Sequence, residues 1–178
     1  MQFAGAGEEI SLGNNRTLVS SQLDAAMQVL DGLWTELAPR FLGLITTSGH
    51  MLTHVAGSFR GSVDSLASLA SGSFAATRQL TLLMDGCDLN VMYQEGCDVN
   101  IYISQVTEDV LLVICFGKGT QLGKVRLMAG RAKEPLALAL ESADEPAAPV
   151  PGGDDYARGV SQAIDELLSI EGEQSGTD

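Results

Sequence analysis

Apolar residues along this chain change their spacing in a regular order. From Ser21 they recur as Leu23, Ala26 and Met27, Leu30, Leu33 and Trp34, and Leu37, the 3.6-residue period of an amphipathic helix, and Pro39 stops it. The stretch "FLGLITTSGHMLTHVAG" holds two short apolar runs joined at Ser48-Gly49 and reads as a hairpin. A second helix is predicted over about residues 63–84. "LNVMYQEGCDVNIYISQVTEDVLLVICFG" then gives three strands, with turns near Glu95-Gly96 and residues 107–109. Its last run, "VLLVICF", is apolar on both faces, so this strand is central and covered on both sides, or on one side and by a partner. A third helix starts near Thr120 and runs toward Leu140, with Pro135 predicted to kink or restart it.

The order helix, two strands, helix, three strands, helix predicts an α/β sandwich with one antiparallel five-stranded sheet. It is not the strand–helix alternation of a nucleotide-binding fold. Residues 1–19 show no periodicity and are expected to be a flexible N-terminus, with the domain at 20–140. Residues 141–153 hold three of the five prolines and read as an acidic, solvated linker. Residues 154–170 turn periodic again, and Tyr156, Val160, Ile164 and Leu167 share one face of an expected amphipathic helix. Residues 171–178 complete a flexible tail.

Charge separates these parts further. Ten acidic and one basic side chain lie in residues 141–178, a net of −9 out of −13 for the chain, so the body is nearly balanced. An acidic chain without a basic, aromatic-studded patch argues against nucleic-acid binding. Five of the ten basic residues, Lys118, Lys124, Arg126, Arg131 and Lys133, gather around the third helix, where a solvated face is the simplest account. Three cysteines without metal-ligand spacing suit reduced thiols. Glu8 and Glu9 stand where a signal peptide needs a basic and then an apolar run, and no apolar run nears the roughly 20 residues of a membrane span. The expected location is cytoplasmic.

The second helix is unusual in content. Its centre, "SLASLASGSFAAT", is small and almost uncharged, although a mid-helix glycine costs about 1 kcal/mol relative to alanine. On a wheel of 100° per residue, Leu66, Leu69, Ala70, Ser73, Thr77, Leu80 and Met84 fall on one side and are expected to face the sheet. Ser68, Gly72, Ala75 and Gln79 lie opposite, flanked by Ser71 and Leu82. A surface helix ordinarily carries Glu, Lys and Arg there. This smooth face is what the close approach of a second protein requires.

Sharper chemistry is weaker. "FGKGTQLGKV" follows a buried strand and opens a helix, the setting of a phosphate-binding loop. However, it has one residue too many between Gly117 and Gly123, and Val125 stands where Ser or Thr must meet magnesium. His50 and His54 are four apart on a strand with no carboxylate between them, a poor metal pair. No nucleophile is paired with a base as triads require. No catalytic residue, metal or cofactor is expected.

The element order, with "SLASLASGSFAAT", "QEGCDVNIYI", "VLLVICF" and "QLGKVRL", resembles the Roadblock (dynein-light-chain-like) family over about residues 20–140, in its bacterial polarity branch. The resemblance implies a profilin-like sandwich. It also implies a homodimer whose second helices lie side by side above a sheet continued across both subunits. That helical floor meets the switch regions of a Ras-like small GTPase. Ala75 fits the branch's small interface residues, and Gln79 departs from them, being larger and polar. The resemblance further implies activation of GTP hydrolysis without a donated arginine, which speaks against such a role for Arg60 or Arg78. It places the protein in cell polarity or motility, with a site at a cell pole. The terminal helix, too short to be stable alone, is either a solvated tail or a recognition helix, and its apolar stripe favours recognition. The other reading of the whole is an adaptor dimer that leaves nucleotide turnover unchanged.

Overall fold

The structure, a computed structural model, describes residues 10–12 and 16–141. Its main sheet is built from β3 (Phe41–Thr46), β4 (Met51–Ala56), β5 (Val91–Gln94), β6 (Val99–Gln105) and β7 (Val110–Gly117), ordered β4-β3-β7-β6-β5. Every pairing in it is antiparallel. The helices are α1 (Ser20–Leu37), α2 (Val63–Asp85) and α3 (Leu122–Glu141). The expected α-β-β-α-β-β-β-α sandwich is therefore present. β7 is central and buried from Val110 to Phe116, because a strand covered on both faces takes apolar residues at every position.

Alternation sends the strand side chains to two cores. Leu42, Leu44, Leu112, Ile114 and Phe116 meet α1 and α3 through Ala26, Leu30, Leu33, Val125, Ala129 and Leu136. Phe41, Ile45, Ile103, Leu111, Val113 and Cys115 meet α2 through Ala67, Ala70 and Phe74.

Part of the stretch expected to be a flexible N-terminus carries structure. β1 (Ile10–Leu12) and β2 (Arg16–Leu18) pair antiparallel, and Leu18 is buried in the α1–α3 core. Three-residue strands are too short to display a period of two. α1 ends where Ala38 turns left-handed (φ 43°) before Pro39, which cannot continue a helix. α3 neither restarts nor breaks at Pro135. Proline removes a donor to the carbonyl four residues earlier, here that of Arg131, and both residues are exposed to water. Gln22 joins the two helices. Buried at 5% exposure, it accepts from the Val19 N–H at 2.9 Å and donates to the Leu140 carbonyl at 2.7 Å.

The linker from residue 142, the expected C-terminal helix at 154–170 and the tail lie outside the described residues. Tyr156, Val160, Ile164 and Leu167 lie there with them.

Candidate functional site: the outer face of α2

α2 begins at Ser62, whose hydroxyl caps the Ser65 N–H at 3.2 Å, and ends at Gly86 in the left-handed conformation (φ 65°). Between these caps the helix is rotated by about 100°, one residue, from the wheel expectation. Ala67, Ala70, Ser71 and Phe74 are the residues buried against the sheet. The expectation that Leu69, Leu80 and Met84 face the sheet is wrong. They are 73%, 60% and 84% exposed, as is Leu83 at 82%. Phe74, 3% exposed, anchors this face together with Ala67 and Ala70, so the long aliphatic side chains on the other side of the helix point outward. α2 holds more leucines than one face can cover, a signal already present in the sequence.

Of the expected floor, Ser68, Gly72, Ala75, Gln79 and Leu82 are exposed. Ser71 is not part of it, since it is 6% exposed with its hydroxyl donated to the Ser68 carbonyl at 3.0 Å. Gly72 has open space where a Cβ would stand, so its own chain does not require glycine there. The outer face is therefore a stripe of Leu69, Gly72, Ala76, Leu80 and Leu83 with Ser68, Ala75 and Gln79 along one shoulder. Its polarity is low, because the helix hydroxyls are spent internally. Thr77 Oγ1 donates to the Ser73 carbonyl at 2.9 Å and Thr81 Oγ1 to the Thr77 carbonyl at 3.0 Å.

Charged groups nearby are committed or remote. Arg78 donates twice to the Asp88 carboxylate, through Nε and Nη2. That hydrogen bond holds Asp88 below the usual carboxylate range and raises Arg78. Arg60 lies exposed in the β4–α2 loop. The phosphate-loop lookalike has a structural use. Lys124 donates its Nζ to the Glu36 carbonyl, and Thr120 Oγ1 reaches the Leu37 carbonyl at 3.5 Å. Together they cap the negative C-terminal end of α1.

His54 stacks on Phe41 with ring centroids 5.7 Å apart, and His50 bonds within its turn. No group of three or more metal-ligating side chains occurs among the described residues. Cys87 and Cys97 are exposed. Burial pushes the Cys115 thiol up to about 11, so it stays protonated. No helix among the described residues is long and apolar enough to cross a membrane.

A three-helix sandwich with this strand order is a Roadblock-type fold. A Roadblock/LC7 domain from Streptomyces avermitilis shares it at 19% identity and TM-score 0.50, covering 65% of this chain and 91% of that one. Gliding protein MglB from Thermus thermophilus is similar at 31% identity and TM-score 0.65, covering 71% of this chain and 96% of that one. An MglB with a tetrameric arrangement is similar at 30% identity and TM-score 0.66, covering 70% and 94%. No protein-family model matches the sequence, and no curated protein does. The chain belongs to the MglB family of the Roadblock fold.

Proposed function

We propose that the protein is a homodimeric regulator of a Ras-like small GTPase of the MglA type, acting in cell polarity or motility as an activator of GTP hydrolysis. The observation that carries this reading is the outer face of α2. Four large apolar side chains there are more than half exposed, beside a glycine and two alanines that leave the helix backbone approachable. Exposed apolar patches of this kind mark interaction sites. A second copy of α2 packed along the Leu69–Leu83 stripe covers the leucines, and helices plus strand edges supply the roughly 1,600 Å² of a standard interface. An MglB with a tetrameric arrangement supports self-association as a property of this kind of chain.

The shoulder of small residues on two such helices then forms a flat floor for the GTPase switches. The regulator contributes no reacting group. It orders the partner's own water and charged residue, which is where electrostatic stabilisation of phosphoryl transfer acts. The test is single-turnover GTP hydrolysis by the cognate MglA-type GTPase. Native protein is expected to accelerate hydrolysis. Ala75→Arg, which puts a desolvated cation on the floor, is expected to abolish both binding and acceleration. Glu36→Arg on α1 is expected to change neither. Binding without acceleration makes the protein an adaptor, and no binding sinks the reading.

A further inference from the structure

The outer face of α2 has almost no hydrogen-bonding capacity, and a partner recognised only by flatness is recognised poorly. Specificity needs directional polar groups that are left unpaired with the wrong partner. Ser71, Thr77 and Thr81 are tied back to helix carbonyls. This leaves Ser65 and Gln79, about four turns apart, as the exposed uncharged polar side chains besides Ser68. The missing groups stand next to Ser68 on another element, the β3–β4 turn.

That turn is held by hydrogen bonds within itself and to α2 and the β6–β7 turn. Thr46 N–H donates to the His50 carbonyl at 2.8 Å and Gly49 N–H to the Thr46 carbonyl at 3.0 Å. The Thr46 hydroxyl, on a residue only 1% exposed, accepts from the His50 N–H at 2.9 Å and lies 2.8 Å from Ser48 Oγ. Ser48 Oγ in turn lies 3.1 Å from His50 Nδ1. The Thr47 N–H is held by the Asp109 carbonyl at 2.8 Å. Gly49, at φ +92°, seats the turn on α2: a Cβ there would meet Ser71 Oγ at 3.0 Å and the Ser68 Cα at 3.1 Å. Ser68 Oγ completes the seat with a bond of 3.4 Å to the Gly49 carbonyl. The side chains of Thr47, Ser48 and His50 remain exposed.

We propose that this turn is the rim of the partner surface, and that the Thr47 hydroxyl and the His50 ring nitrogen not turned to Ser48 give the GTPase the directional polar contacts that α2 lacks, with Ser48 holding the imidazole in place. The turn is continuous with the floor through Ser68. Its backbone is already ordered, so little conformational entropy is left to lose on binding. The inference rests on the GTPase reading above and names a second element of the same site.

The test uses the full chain and the cognate MglA-type GTPase loaded with a non-hydrolysable GTP analogue. The double variant Ser48→Ala/His50→Ala is expected to bind about tenfold more weakly, the scale of losing one or two hydrogen bonds, with oligomeric mass unchanged. Thr47→Val keeps the backbone bond to Asp109 and the shape of the turn. It is expected to weaken binding about threefold, and this holds even if the double variant loosens the turn. Native affinity in both turn variants, with Ala75→Arg still abolishing binding, overturns the rim and leaves the floor standing. Native affinity in all three overturns the rim and the GTPase reading together.

Discussion

The sheet has two sides, and they are finished differently. On one, α1 and α3 close over the strands through Leu30, Leu33, Leu37, Leu136 and Leu140, each at most 4% exposed, while Leu127 and Leu138 of α3 are 54% and 58% exposed. On the other, a single helix lies on the sheet through Ala67, Ala70 and Phe74 and turns Leu69, Leu80 and Leu83 outward. The leucines of α1 and most of those of α3 are spent on the core, whereas most of those of α2 are not. A helix that meets its sheet through Phe74 and two alanines has leucines left over, and Leu69, Leu80 and Leu83 stay more than half exposed. The closed side holds the fold together. On the function proposed above, the open side is finished by a second copy of the chain.

The largest expected effect is on the closed side. Phe116, 1% exposed and stacked on Tyr93 at 6.4 Å between centroids, fills the core under α1 and α3. Phe116→Ala is expected to cost about 3–5 kcal/mol, enough to unfold much of the population, as urea denaturation will show. If it unfolds no more easily than the native chain, that core does not carry the fold.

Gln22 sharpens the comparison at a lower level. It is the buried polar side chain that joins the start of α1 to the end of α3, and the α2 side has no such cross-link to another helix among the described residues. Gln22→Leu leaves the Val19 N–H and the Leu140 carbonyl without this partner. It is expected to lower stability by about 1–3 kcal/mol, with self-association unchanged. A denaturation midpoint equal to that of the native chain would mean that water replaces both bonds.

How far the sequence showed this follows from the same contrast. α1 and β7 were legible because their apolar positions agree with what they bury: the 3.6 period from Leu23 to Leu37, and seven consecutive apolar residues in the central strand. α2 was legible as a helix, yet its rotation was not. The wheel left Phe74 out of the sheet-facing set, and Phe74 with Ala67 and Ala70 is what the helix buries. Ser71 was consequently placed on the floor although it packs beneath, against the β3–β4 turn. That turn itself was read as a plain hairpin connection. Its order comes from contacts with Ser68, Ser71 and Asp109, each distant in sequence and invisible to any local pattern. The glycine-rich loop before α3 suggested a phosphate site because local spacing cannot reveal that Lys124 and Thr120 face the end of α1.

The central claim is that the open side of α2 is covered by a second copy of the chain. Light scattering across micromolar concentrations tests it most directly, on the native chain and on Leu80→Ser/Leu83→Ser. These residues lie on the exposed face, so the substitutions change the monomer's own fold by no more than about 0.5 kcal/mol. The account predicts a dimer mass or a multiple of it for the native chain, and a monomer mass with a folded circular dichroism spectrum for the double variant. A native chain that scatters as a monomer, or a double variant that keeps the native mass, would contradict it.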